Sequence, residues 1–232
     1  MAASLNAVPA ARRPMHFGTL WLSDNDYTRF APYSWTQFAT GSTITRQWAS
    51  WVCSRLRTGE VPARAAMVTD PKKRVFGLVH TNVPQDKKLA EEFKGYLNQY
   101  CGGNIITREV EYEGTDFGKA QQDNPNVIVQ LKLAGVTTVL MLTEPIQPLF
   151  QIQAANQQQY KPEWVFSSFG YADSNTVQRL YDQDQMKASM GVSELGVPGG
   201  FGLVQATRSR CTTPTTRWRR AGSPAIRRRT RA

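Results

Sequence analysis

From residue 75 onward this sequence alternates short apolar runs with stretches of helical period, and that alternation limits it to few folds. VFGLVH (75–80) and TVLML (138–142) are continuous apolar runs, as expected of strands covered on both faces of a parallel sheet. Between them, residues 86–100 place Leu89, Phe93, Leu97 and Tyr100 on one helical side, with Gly102-Gly103 as the stop. Residues 104–112 are β-branched and read as a strand, and 126–134 close a helix that ends at Gly135. Residues 145–159 read as a helix opened by a proline, 164–168 as a strand, and 173–182 as a short helix with Val177, Leu180 and Tyr181 inward. MGVSEL (190–195) is a last strand.

Upstream, residues 15–23 read as a strand turning out at Ser23-Asp24-Asn25-Asp26. Residues 32–40 alternate aromatic and polar side chains and read as an exposed or crossing strand. Residues 43–56 carry Ile44, Trp48, Trp51, Val52 and Leu56 on one helical face, with Ser42 or Thr43 as the cap. Strands of about five residues alternating with helices of ten or more predict an α/β class: a parallel sheet, right-handed crossovers and helices on both faces.

Charge is distributed unevenly. The net charge is +10, but residues 206–232 hold nine Arg, no Lys and no acid. The other 205 residues carry 19 basic and 18 acidic side chains, so the body is nearly neutral and nucleic acid is not an expected partner. The Arg, Thr, Ala, Pro and Gly of residues 203–232 offer no core, and the stretch reads as a disordered tail, of a composition that a shifted frame of a GC-rich gene produces. No run approaches the roughly 20 apolar residues of a membrane span. The N-terminus, MAASLNAVPAARRPM, lacks the apolar core of a secretion signal. Cys53, Cys101 and Cys211 form no C-x-x-C pair, so no zinc site and no cofactor is expected. Cys53 and Cys101 fit either a disulfide in an exported protein or two buried thiols.

Catalytic signatures are missing. There is no G-x-x-x-x-G-K-[ST] phosphate loop and no G-x-S-x-G elbow, and His80 has no adjacent nucleophile in sequence. The chain therefore reads as a non-enzyme. The strand ends carry Ser23, Asp24, His80, Thr81, Asn82, Thr143, Glu144, Ser168, Phe169 and Tyr171. These are short polar groups and rings suited to a small polar ligand at the carboxyl edge of a parallel sheet.

Several segments over residues 73–202 carry a likeness to a known family. They are KKRVFGLVHTN, KKLAEEFKGYLNQYCGGNIITREVEY, GTDF, VIVQLKLAGVTTVLML and FQIQAANQQQYKPEWVFSS, in that order. The chain resembles the second lobe of type I periplasmic binding proteins, the leucine/isoleucine/valine-binding class that serves ABC importers. The resemblance implies a lobe-one remnant and hinge strand at 1–42, lobe two at 43–202 and the tail beyond, so an incomplete lobe pair, cut at the front and frame-shifted at the back. It implies a solute held between two lobes by hinge closure, an ABC permease as partner of the intact parent, and membrane contact only through that permease or a lipid anchor. Gln85 and Thr143 stand where the family places aromatics, and Ser168 falls near its ammonium-binding carboxylate, which disfavours an α-amino acid. The chain as written is expected to bind its parent's solute weakly or not at all. The parent would be periplasmic or at the cell surface; a cytoplasmic location is the alternative for this chain. A ligand-sensing domain of a receptor or transcription regulator is the alternative function on the same fold.

Overall fold

The computed structural model describes residues 15–18, 21–36, 38–59 and 65–193. Its centre is a five-stranded, all-parallel sheet in the order β4-β3-β5-β6-β7. The strands are β3 (Phe76–Thr81), β4 (Ile106–Tyr112), β5 (Thr138–Leu142), β6 (Glu163–Phe166) and β7 (Ser189–Gly191). A separate parallel pair is formed by β1 (His16–Gly18) and β2 (Ser34–Thr36). The helices are α1 (Asp24–Phe30), α2 (Gly41–Trp51), α3 (Pro84–Cys101), α4 (Phe117–Leu133), α5 (Gln147–Gln157), α6 (Asn175–Gln178) and α7 (Gln183–Met186).

Helices cover both faces of the sheet. Phe76, Leu78, Leu140, Leu142 and Val165 pack under α2 and α3. The alternate residues Val79, Val139, Met141, Trp164 and Phe166 pack under α4 and α5. This period of two is why the apolar runs of β3 and β5 are unbroken: each side chain has a buried face to enter. Gly102, at φ 73°, ends α3 in the left-handed conformation that glycine adopts without penalty.

Several local expectations are corrected. Residues 19–20 lie outside the described ones, and Asp24–Phe30 is a helix rather than an outward turn, because Ser23 caps it by accepting from the Asp26 amide at 3.2 Å. Helix α2 is capped by Thr40, not by Ser42 or Thr43. Ser42 instead accepts the Asp24 amide at 3.0 Å, and Gly41 can open the helix because it alone fits beneath the Trp21 carbonyl, which lies 2.5 Å from where a Cβ would stand. The 43–56 helix changes to π geometry over Val52–Arg57 while keeping Val52 and Leu56 buried. The helix that residues 126–134 close is α4, which starts at Phe117 and runs through Pro125. Only Asn175–Gln178 of the 173–182 segment is helical, and beyond it Leu180 is exposed while Tyr181 is buried. Tyr100 is exposed too, and Cys101 takes the inward position. Ser167 and Ser168 lie beyond β6, and β7 ends at Gly191; Glu194, Leu195 and the basic tail lie outside the described residues.

Two links hold the amino-terminal edge. Arg74 Nε lies 2.7 Å from the Glu163 carboxylate with both side chains almost fully buried. The second Glu163 oxygen meets Arg74 at 3.0 Å, Thr138 donates to the carboxylate at 2.9 Å, and Arg74 donates to the Leu56 carbonyl at 2.9 Å. Cys53 and Cys101 form a disulfide between the π turn and the end of α3. Removing one partner of a buried ion pair leaves the other uncompensated. Glu163→Gln is therefore expected to destabilise the chain by about 3–5 kcal/mol in urea unfolding; a loss below about 1 kcal/mol would contradict the burial of Arg74. The Cys53→Ala, Cys101→Ala double variant is expected to lose about 2–4 kcal/mol, read as a lower urea midpoint against the oxidised chain.

Candidate functional site

The chain passes from β3 outward to β4 and then back across β3 to β5. As a result α3, following β3, covers one face, and α5, following β5, covers the other. The loops after β3 and β5 are thus carried to opposite faces at the carboxyl edge, the arrangement that leaves a crevice in open parallel sheets. In parallel sheets this reversal point is where ligands bind.

Alternation along the strands fills the crevice. Thr81 pairs with Tyr112 across β3 and β4, and His80 with Leu142 across β3 and β5, so Thr143 follows beside Thr81. Thr81, Tyr112 and Thr143 all follow the face of Val79, Val110 and Met141. The Thr81 hydroxyl donates to the Asp86 carboxylate at 2.5 Å, which fixes that carboxylate at the start of α3. Glu144 accepts the Ile146 amide at 2.6 Å and the Gln147 amide at 2.8 Å, and so opens α5. Asp86 and Glu144 both remain partly exposed. The hydroxyls of Thr143 (1% exposed) and Tyr112 (2%) are buried; that of Thr143 meets no protein partner, whereas that of Tyr112 lies against the Glu144 carboxylate. Most buried polar groups are paired, so the orphaned Thr143 hydroxyl points to a ligand.

Electrostatics follow from this placement. Burial pushes the Asp86 carboxyl above its ordinary value, and the Thr81 hydrogen bond and His80 offset only part of the rise. Burial also raises Glu144 against the two backbone N–H groups that favour its charge, and Asp86 adds to the rise. Burial first, then the charges of Glu144 and Asp86, push Tyr112 well up.

The other strand-end residues have different duties. His80 lies on the opposite face of β3, its Nδ1 2.8 Å from the Thr81 carbonyl and its Nε2 2.9 Å from Glu109. Lys94 bonds Glu109 at 2.8 Å and Glu91 at 2.7 Å. Burial of Glu109 opposes its charge, but the bonds from Lys94 and His80 outweigh it and hold the carboxyl below its usual value. Asn82 bridges to the next strand's loop, donating to Glu113 at 3.0 Å and accepting the Gly114 amide at 3.1 Å. Gln85 is half-buried in the first turn of α3. Ser23 is occupied by its cap, and the Asp24 carboxylate accepts from Thr40. Ser168 is buried, and Phe169 and Tyr171 pack on Trp21 with ring centroids at 5.6 and 5.0 Å. Gly170 has φ 65°, and a Cβ there would lie 3.2 Å from the Glu144 Cα, so the β6 loop crosses tightly over the β5 loop. Tyr171, at φ 59°, holds a left-handed conformation that costs a non-glycine residue energy.

Asp86 and Tyr112 were absent from the strand-end set read from sequence. The signal for both was available: Tyr112 ends a strand, and Asp86 sits one turn beyond another. What sequence does not state is that β4 is the neighbour of β3.

No protein-family model matches the sequence, and no curated protein is detectably similar to it. Solved structures are similar in part. A type 1 periplasmic binding protein from Bordetella pertussis Tohama I gives a TM-score of 0.48 at 8% identity, over 69% of this chain and 36% of its own. An ABC transporter substrate-binding protein from Desulfitobacterium hafniense in complex with Leu gives 0.47 at 11% identity, over 77% and 43%. A solute-binding protein of an ABC transporter from R. palustris, in complex with 4-hydroxybenzoate, gives 0.42 at 16% identity, over 60% and 33%. The chain thus spans less than half the length of each of these.

A buried hydroxyl without a partner costs about 1–3 kcal/mol. Thr143→Val is therefore expected to leave the ligand-free chain equally stable or up to about 1 kcal/mol more stable by urea unfolding. A loss above about 1 kcal/mol would mean that the hydroxyl is satisfied within the fold.

Proposed function

We propose that this chain is the solute-binding part of an ABC-type importer, and that its solute, small and polar, lies in the crevice between β3 and β5. The observation that carries this reading is the buried, unpartnered hydroxyl of Thr143 at the point where the strand order reverses. The sequence likeness over residues 73–202 supports it. So does the chemistry of the site: His80 is bound to Glu109 and a backbone carbonyl rather than to a hydroxyl nucleophile, which suits binding and not group transfer.

In the intact importer component, the solute would lie between this lobe and a second one, and closure about the hinge would desolvate it before delivery to the permease. The Cys53–Cys101 disulfide fits a periplasmic or cell-surface location, where disulfides persist. No helix among the described residues is long and apolar enough to cross a membrane.

The four polar groups of the crevice, at about 1 kcal/mol net each, give about 4 kcal/mol, or millimolar affinity. Thermal unfolding of the full chain should therefore be run with amides, amines, amino acids and aromatic acids at roughly ten times such a dissociation constant or more, on the order of tens of millimolar. The expected outcome is a rise in Tm with at least one solute class that Thr143→Val removes. A flat response to every class would contradict a solute-binding role.

A further inference from the structure

We infer that the crevice takes a solute bearing a cationic N–H group, a primary ammonium or a guanidinium, with no carboxylate beside it. This deepens the binding reading above and rests on it.

The crevice is rich in acceptors and short of positive charge. One Asp86 oxygen accepts from Thr81, and Glu144 accepts one backbone N–H at each oxygen and faces the Tyr112 hydroxyl. A carboxylate has about four acceptor positions, so both groups keep free lone pairs. The basic side chains of β3 and α3 are committed elsewhere. His80 bonds Glu109 and the Thr81 carbonyl, Lys87 pairs with Glu111 at 2.6 Å, Lys88 with Asp26 at 3.2 Å, and Lys94 with Glu109 and Glu91. Helix α5 contributes no basic residue. Two partly buried carboxylates, near enough for Asp86 to raise Glu144 and only partly offset by His80, are costly until a cation arrives.

The hydroxyls fit the same ligand. Thr143 can accept from an N–H and has that capacity unused, and Tyr112, whose hydroxyl is turned to Glu144, keeps its oxygen as an acceptor. The Tyr181 hydroxyl is already spent on the Pro145 carbonyl at 2.6 Å. A ligand carboxylate placed here would meet Asp86 and Glu144 directly, so a zwitterionic α-amino acid is disfavoured.

Binding should also respond to pH. The titratable groups facing the ligand are Asp86 from α3, Glu144 from the β5 loop, Tyr112 from β4 and Tyr181 from the segment between α6 and α7, with His80 nearby on β3. Burial raises both carboxyls, so protons compete with a cation above the range of an ordinary carboxyl group. Affinity for a cation should therefore fall as pH is lowered, and affinity for a neutral solute should not.

The test is calorimetric titration of the full chain with n-butylamine, putrescine and agmatine, against n-butanol, acetamide and L-leucine, at neutral pH and near pH 5. The expected result is that n-butylamine binds about tenfold tighter than n-butanol, and that this preference shrinks several-fold in acid. Glu144→Gln should abolish most of the preference. Because Glu144 also opens α5, Asp86→Asn is the second variant and should cut the preference without touching that cap. If n-butanol or L-leucine bound as tightly as n-butylamine, with binding lost in Thr143→Val, the cation inference would fall and the solute-binding reading would stand. If none of the six bound, both would fall.

Discussion

The reversal of strand order between β3 and β5 is the constraint on which the rest of the structure depends. A parallel sheet needs a crossover helix after each strand, and a right-handed crossover lands on the face set by the direction of travel. Moving outward to β4 puts α3 over Leu78 and Leu142, whereas returning toward β6 puts α5 over Met141 and Phe166. The two βα loops between them therefore cannot close on each other. Whatever side chains end β3 and β5 are left facing a gap, and here they are Thr81, Asp86, Thr143 and Glu144.

The two edges of the sheet treat polarity in opposite ways. At the amino-terminal edge, the buried Arg74–Glu163 pair is fully engaged: Thr138, the Leu56 carbonyl and the Pro71 carbonyl complete it. Such a network is stable because no member is left alone. At the carboxyl edge, the hydroxyl of Thr143 is left alone, and burial raises two carboxyls against the groups that favour their charge. A fold that satisfies one buried edge and leaves the other unsatisfied keeps the second for something outside itself. The tight passage of Gly170 over Glu144, and the left-handed Tyr171 beside it, place the same local strain at the same edge.

Much of the architecture was legible in the residues. The unbroken apolar runs of β3 and β5 announced strands buried on both sides, and the spacing of Leu89, Phe93 and Leu97 announced α3. Helix boundaries failed where side chain and backbone compete. Residues 126–134 showed only the end of α4, because its first turns, which run through Pro125, carry no apolar period; Gln158 donates to the Pro125 carbonyl at 2.8 Å. Leu180 looked like core by period, but the helix that would have buried it breaks at Gln178. Of the site, Thr81, Thr143 and Glu144 followed from being strand ends. Tyr112 and Asp86 needed the lateral order of the strands, a non-local fact that no periodicity contains. His80 also ends a strand, but alternation turns its ring to the other face, toward Glu109.

Amide chemical-shift mapping of the full chain on addition of n-butylamine tests the central claim most directly. The account predicts that the shifts concentrate at Thr81–Asp86, Tyr112 and Thr143–Gln147, on both sides of the reversal point. Shifts concentrated instead on the outer surface of α2 and α3, around Arg46, Trp51 and Tyr100, would contradict it and move the binding site off the carboxyl edge of the sheet.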